Sequence, residues 1–591
     1  MKVEGPPAPR HSHARDGTLQ GATSRAQSGA ASVRPRRRPP PAAVVAGVAL
    51  GLGVVVQLLP LLLFPTVLSQ DGPAHVAGAW VLLNVGDDDG TGAVLAEHYR
   101  IDLTPVPNML TTLLLAGLLP LAGPDGAERL LVAGLVLGLV GATARVVHAL
   151  DRRAWWLAAA ALPLAGSNLV AYGFYNFVLG VIGALLVLAV VLRRRDRWPV
   201  AAAAGLAGLL VLTWSAHLLP WAFAAGSTLT LAGVRAAAAV RGGQPVAAAV
   251  GRHALPVLLA VPPSAALTAR YLATGEGPPA EGEVVPSTQR LQELVTGLRP
   301  FVTGWGDERL PALLTVVVLA VLAVAALRRA RPEDPGPGPE RLGLGLLLVG
   351  ATAAYWLTPD RLGADFGFLA ARLAWFPPLL VVLWVATRAP GPRVGAAATM
   401  VLVAAASAAA VARLPAQSAA ADEVAELLAL ADRIPPGSTI AVLQYDRSVV
   451  WPATGSPDPL RHESSRLAVR AGGVDVGHYE AVHDYFQVRF AGPSHLRERL
   501  DTDPLLGGLE RVPPAVDLAA VRGDLDAVVV LGLDRADAGV RRHDRTRAVT
   551  AELSAHYTEV ATSPTGLGVL WRAGAAPGHT AGGGSAAAPT G

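Results

Sequence analysis

Apolar runs of about 17–25 residues recur through the first two thirds of this chain, each the length that crosses the hydrocarbon core of a bilayer. In lipid a backbone has to satisfy its own hydrogen bonds, and runs without period-two alternation do so as helices. Mean hydropathy is +0.41 and 52% of residues are hydrophobic, which excludes an ordinary soluble enzyme. None of the 591 residues is cysteine, so disulfides, thiolate catalysis and Cys-ligated metals are ruled out. Lys2 is the only lysine, and the arginines gather in short loops between apolar runs. That pattern is the membrane-topology use of positive charge, so the pI of about 9.6 does not point to nucleic acid.

Residues 1–42 are polar, end in Arg34, Arg36, Arg37 and Arg38, and read as a disordered, basic, cytoplasmic N-terminus. Ala43 to Phe64 is too long for a signal-peptide core and no small-residue cleavage site closes it, so it reads as a retained first span. Residues 43–415 then form a transmembrane domain with an external loop at 65–126. Within that loop TPVPNML (104–110) leads into an apolar stretch of about 17 residues. Counting this stretch as a span would put the arginines of ARVVHALDRR (144–153) outside. Counting it as an interfacial or re-entrant helix puts them inside and suits every later loop. The resulting expectation is an α-helical polytopic membrane protein of about eleven transmembrane helices, N-terminus cytoplasmic and C-terminus outside.

Composition shifts after Pro415. Residues 416–572 read as an extracytoplasmic α/β domain. ADEVAELLALADRI and TRAVTAELSAHY have helical spacing, STIAVLQ and DAVVVLGLD read as strands, and YTEVATSPTGLGVLWR as two closing strands around a turn. Residues 573–591 form a Gly/Ala-rich tail expected to be disordered. The domain has no nucleophile elbow, no Gly-rich phosphate loop and no clear metal spacing; His478, His483 and His495 are scattered. It reads as an acceptor-binding or structural module.

The stretch with the best claim to chemistry is TVLSQDGPAHVAGAWVLLN (66–84), directly after the first span. Asp71 and His75 lie one helical turn apart, where the chain leaves the bilayer. A carboxylate there is costly unless solvated or used. Asp71 also suits a helix N-cap, since DGPAH sets a capping residue, a glycine and a proline at a helix start. The pair by itself is weak evidence for a metal or acid/base site.

A long first span, an external Asp-containing segment, an external apolar helix preceded by prolines, and a span entered near an arginine together resemble the GT-C class of membrane glycosyltransferases. Those enzymes use polyprenyl-phosphate-linked sugars, and an acidic residue in the first external loop is taken as their base. The resemblance implies that role for Asp71. It matches TPVPNML loosely to the class's Pro-Pro-Leu-type segment, and Arg129 in GAERLL to the arginine opening the next span. GFYNFVLG (173–180), His217 and Pro220 also look like a group of uncharacterised bacterial multispan proteins related to the class. Many members carry adjacent acids in the loop, whereas here Gly72 follows Asp71.

The function implied is transfer of a sugar from a polyprenyl-phosphate donor to an envelope glycan, lipid or protein acceptor at the outer face of the cytoplasmic membrane. Partners are then that donor, membrane lipids and the acceptor, with no nucleic acid. No cofactor is required by the residues, a divalent cation is compatible, and metal ligands are unknown. Donor or substrate contacts fall on His75, Arg129, Tyr172, Asn176, His217 and Arg372. Arginine suits phosphate through bidentate contacts, with Arg100, Arg299 and Arg361 as further outer-face candidates; Arg372, opening a late span in AARLAWFPP, is equally a snorkelling anchor. His75 and His217 contact phosphate, bind metal or polarise the acceptor, or simply pack. Asn168, Tyr172, Tyr175 and Asn176 either hydrogen-bond a sugar or join helices. Asp87, Asp88 and Asp89 read as solvated charge, and the loop 275–305, with Glu276, Glu281, Glu283 and Trp305, as a lid or a solvated segment. Two other functions fit the same chain: a transporter or flippase of a lipid-linked precursor, and a non-catalytic envelope scaffold. A transporter would carry ionisable groups or broken helices at mid-membrane, and here the polar residues gather at one face.

Overall fold

A computed structural model describes residues 41–87, 90–194, 198–274, 287–295, 298–329, 338–361, 367–449, 456–491 and 516–573. Of the terminal segments expected to be disordered, residues 1–40 and 574–591 lie outside the described residues, as do Asp88, Asp89, Glu276, Glu281, Glu283 and His495, whereas Pro41 and Ala42 open the first helix and Ala573 closes the last strand. Seven described helices are long and apolar enough to cross a membrane. They include α1 (Pro41–Leu63), α4 (Met109–Leu150) and the helix Tyr175–Arg193. Burial ranks them: 17% of the apolar window of α1 is buried against 78% in Tyr175–Arg193, so the first faces lipid and the second is the centre of the bundle. The chain is an integral membrane protein.

The four further spans expected from the sequence fall on elements outside those seven. They are the 3₁₀ and α turns of Arg152–Ala165, the helix Val200–Ala216, a helix broken into three pieces over Val246–Thr274, and Pro339–Leu357. The apolar stretch after TPVPNML is helical from Met109 and is merged with the following span, but the path breaks at Gly123, whose φ is +68°. Glycine carries that conformation without penalty, and Pro124 follows to start the next helix.

Between α1 and α4 lie α2 (Gly72–Asn84), α3 (Gly90–His98) and the short strand β1 (Tyr99–Ile101). α2 is not amphipathic: nine of its thirteen residues are buried, so it is enclosed on most sides. The C-terminal region builds a five-stranded sheet in the order β3-β2-β5-β7-β6. Its strands are β2 (Thr439–Gln444), β3 (Val474–Asp475), β5 (Ala527–Leu531), β6 (Tyr557–Thr562) and β7 (Gly568–Ala573). β3, β2 and β5 are parallel, while β7 pairs antiparallel with both β5 and β6. β5 is buried along its whole length, as a strand covered on both faces must be. One face packs on the end of the long helix Pro392–Leu428 and on Glu463–Ala471, the other on Asp544–His556 and α3.

A strand pair and a continuous helix are among the connections that join the C-terminal sheet region to the rest. β1 pairs antiparallel with β4 (Val488–Phe490), Arg100 opposite Arg489, so the segment after α1 and the C-terminal region share a small sheet. The helix Pro392–Leu428 runs unbroken from the bundle into the sheet's packing layer, past Pro415, where the composition shifts. Proline inside a helix loses one backbone bond, and the helix continues through it among alanines, with buried Arg413 bonding the carbonyls of Gly166 and Ala409.

Candidate active site

The chain leaves α1 at Phe64 and runs as an irregular, bent segment to Asp71. Backbone pairing holds it there: Gln70 N–H donates to Ala171 O and Asp71 N–H to Tyr172 O, each at 3.0 Å. Gly173 follows with φ +80°, and a Cβ on it would lie 2.7 Å from Gly72 N and 2.9 Å from Asp71 N. Only glycine allows this approach, which gives the glycine of GFYNF a physical reason.

Asp71 occupies the N-cap position of α2, but its side chain makes no capping hydrogen bond. Its carboxylate is turned elsewhere. Oδ1 accepts from Gln70 Nε2 at 3.1 Å and faces His462 Nε2 at 3.5 Å. Only 6% of the residue is exposed. Burial raises its pKa to about 6, against the lowering effect of His75, the Gln70 bond and Arg461. Burial alone would lower the pKa of His75, but an ion pair to Glu480, the charge of Asp71 and the bond to Gly173 O raise it to about 9. Its Nε2 lies 3.0 Å from Gly173 O. His75 is therefore an imidazolium with both nitrogens engaged, clamping α2 to the Gly173 turn.

An open cleft of about 620 Å³ sits beside Asp71. Asp71, His75, Asn176, His217 and Arg372 all line it, so five of the sequence candidates meet in one place. Asn176 Oδ1 accepts from Thr111 N–H at 3.2 Å and so fixes the start of α4. His217 Nδ1 accepts from Leu219 N–H at 3.1 Å, which makes it a neutral ring with its other nitrogen as donor. Arg372 lies over the Phe174 ring at 4.5 Å and donates to Gly367 O at 2.7 Å. Its buried Nε has no hydrogen-bond partner among the described residues. A buried guanidinium with a spare donor is a ready contact for an anion.

Two candidates stand outside the cleft lining. Arg129 donates to the carbonyls of Phe64 and Pro65 and so secures the end of α1. Tyr172 stacks on Phe174 at 5.3 Å behind the cleft wall, and its contribution to Asp71 is its backbone carbonyl. Among the described residues no three His, Asp or Glu side chains converge in a way that could hold a metal ion.

The sequence reading missed the C-terminal domain's share of this site. Tyr479, Tyr485 and Phe486 line the cleft, Glu480 pairs with His75, and His462 faces Asp71. It also missed the network beneath the loop. Arg466 bonds Glu128 and Glu463, each at 2.6 Å, and Val67 O at 3.2 Å. Tyr175 OH donates to Glu128 at 2.8 Å beside Ser69. The available signal was the density of charged and aromatic residues in RHESSR and GHYEAVHDYF, without a spacing to interpret it.

A bundle of membrane helices capped by an α/β domain, with a cleft where they meet, is the fold that the resemblance in the sequence implies. Solved structures bear out the fold. ArnT from Cupriavidus metallidurans bound to undecaprenyl phosphate superposes with a TM-score of 0.51 at 13% identity, covering 89% of this chain and 97% of that one. The same protein in its apo state gives 0.50 at 13% identity, covering 90% and 98%. No protein-family model matches the chain, and no curated protein matches it by sequence.

Proposed function

We propose that this protein is a membrane glycosyltransferase that moves a sugar from a polyprenyl-phosphate donor to an envelope glycan, lipid or protein acceptor, with Asp71 as general base. The observation that carries this is the shared cleft, in which the Asp71 carboxylate and the Arg372 guanidinium line one cavity. The fold shared with ArnT, which one of the solved structures shows with undecaprenyl phosphate, agrees with a lipid-phosphate donor. An acceptor hydroxyl is a weak nucleophile at neutral pH. As its oxygen bonds to the anomeric carbon, Asp71 takes the proton. The anomeric carbon–oxygen bond breaks with its electron pair on the phosphate, and Arg372 meets the charge that forms there. His217, a neutral donor, and the aromatic wall of Phe174, Phe177, Tyr479 and Tyr485 hold the sugar between them.

The arginines support a reaction at the outer face. At the helix ends away from the α/β domain, Arg235 pairs with Glu340, Arg341 stacks on Trp384, and Arg329 bonds Ala389 O. Basic ends of this kind lie in the cytoplasm, which leaves the cleft outside.

The test is Asp71→Asn in the full-length protein, followed by envelope-glycan analysis and measurement of accumulated lipid-linked sugar. The expected result is loss of one glycan linkage at normal protein level, with the rate down by at least about 100-fold. An unchanged glycan profile removes Asp71 as the base.

A further inference from the structure

We propose that a second cavity, behind the segment that leads to Asp71, holds a membrane lipid with a neutral, hydroxyl-bearing head group. The cavity is open and about 710 Å³ in volume, within the range of small-ligand sites. It lies between α1, α4, the turn at 165–171 and the helix Pro392–Leu428, and Thr66, Val67 and Leu68 belong to its wall. It is separate from the cleft at Asp71. Tyr175 lines the one and His75 the other, and their rings lie against each other at a centroid distance of 5.6 Å. What fills this cavity does not depend on Asp71 being the base.

The lining has two characters. Pro60, Leu61, Val132, Val136 and Ala410 make an apolar part. Gln57, also in the lining, sits six residues before the end of α1, so the cavity reaches about 9 Å down that span. Only 17% of the apolar window of α1 is buried, so this side of the bundle borders lipid. Thr66, Ser167, Thr303, Arg413 and Gln417 make a polar part. Water settles among polar groups and leaves apolar space dry. A molecule with a polar head and an apolar chain satisfies both parts.

The polar part selects the head. Thr66 is 3% exposed and Ser167 fully buried, and neither hydroxyl has a hydrogen-bond partner among the described residues; nor has Gln417 Oε1. Buried polar groups are normally paired. Hydroxyls both donate and accept, whereas an amide oxygen only accepts, so the complement has to bring donors. Charge narrows it further. Arg413 Nε lies 3.8 Å from the Glu308 carboxylate, and the guanidinium donates to the carbonyls of Ala409 and Gly166. Glu308 in turn accepts from the Thr303 N–H and hydroxyl. The one cation is thus already balanced, and a phosphate there would meet the Glu308 carboxylate. A glycerol or sugar head supplies donors without charge. Bound there, it braces the segment that runs on to Asp71.

The test uses the full-length protein in phosphatidylcholine nanodiscs doped with one of three lipids that carry the same photoreactive acyl chain: diacylglycerol, monoglucosyl diacylglycerol or phosphatidylglycerol. Crosslinked peptides are mapped by mass spectrometry. A neutral probe should label α1 and the helix Pro392–Leu428 beside the cavity, and its unlabelled form should displace it. Stronger labelling by diacylglycerol assigns a glycerol head, and stronger labelling by the glucosyl lipid a sugar head. Thr66→Val with Ser167→Ala keeps the wall nearly the same shape and removes both hydroxyls, so labelling should fall roughly tenfold, the loss of two hydrogen bonds. Ala410→Leu, which fills the apolar part, should lower it independently. Melting in probe-free nanodiscs shows that each variant is folded. Asp71→Asn should label like the wild type, whatever its activity, so a failed base assignment is told apart from a failed lipid site. Phosphatidylglycerol labelling as strongly as the neutral probes, folded variants that label undiminished, or no displaceable labelling, which leaves a cavity holding water only, overturns the proposal.

Discussion

At the scale of single residues, the site depends on one carboxylate held against its own preference. Burial pushes Asp71 to about 6, and the imidazolium of His75 acts against that push. A general base works in its ionised form, so activity should rise with pH through an apparent pKa near 6, well above the ordinary carboxylate near 3.8. Glu480→Gln should move that limb further up. Without Glu480 Asp71 loses a small direct repulsion that raises its pKa, but His75 is neutral over more of the range, and losing that larger cationic influence makes the Asp71 proton harder to remove. The check is the pH dependence of linkage formation in the variant beside the wild type; a limb that stays put would show that His75 does not set the charge of Asp71. Asp71 stands out in the sequence because it is an acid directly after a long apolar run, beside a helix-cap reading that fits the same residues. Its helix-cap alternative could only be settled by geometry, since the cap position and the turned-away side chain coexist. His462 and Glu480 were not legible. Nearly four hundred residues separate them from the groups they meet, and no periodicity marks a pair brought together by docking of two layers.

At the scale of elements, the loop 66–71 is gripped from two sides. Gly173 lies against the Asp71 backbone with no room for a Cβ. Gly173→Ala meets both the contact at 2.7 Å and a φ of +80°, so it should cost about 1–2 kcal/mol locally and shift Asp71. The expected outcome is a protein that inserts and accumulates but forms the glycan linkage at a small fraction of the normal rate. On the other side, Arg466 holds Glu128 and Glu463 in a nearly dry pocket. Removing one member of such a buried set leaves uncompensated charge, at a cost of about 3–5 kcal/mol. Arg466→Ala should therefore lower thermal stability in detergent strongly, whereas Arg470→Ala, with its more exposed pair to Asp125, should hardly change it. The resemblance drew attention to Arg129, and the structure places its neighbour Glu128 in the network instead. Adjacent residues on a helix point to different faces, and the phase of α4 is set by the break at Gly123, which no apolar periodicity reveals.

For the whole molecule, the repeated apolar runs made the fold class plain from the sequence, and the α/β alternation did the same for the second layer. What stayed hidden was that the segment between α1 and α4 packs with the C-terminal domain: Val81, Leu95 and Tyr99 share a core with the sheet, and β1 pairs with β4. Strand pairing between three-residue segments so far apart leaves no trace in local pattern. A cysteine-free chain makes this joint directly testable. Arg100→Cys with Arg489→Cys, opposite each other across β1 and β4, should form a disulfide on mild oxidation without loss of activity. Orientation is tested separately, by reporters fused after Val411 and after Arg153. The first should report outside and the second inside.

The helix Pro392–Leu428, about 55 Å of continuous α-helix, carries a mechanical consequence. Together with the β1–β4 joint and the Arg466 network it mounts the α/β domain on the bundle at three separate points. A body mounted at three points resists tilting about any one of them, so the cap is expected to stay in register with the bundle. Under the proposed function, a lipid-borne donor would then enter the cleft from the side, between helices, with its tail still in the bilayer.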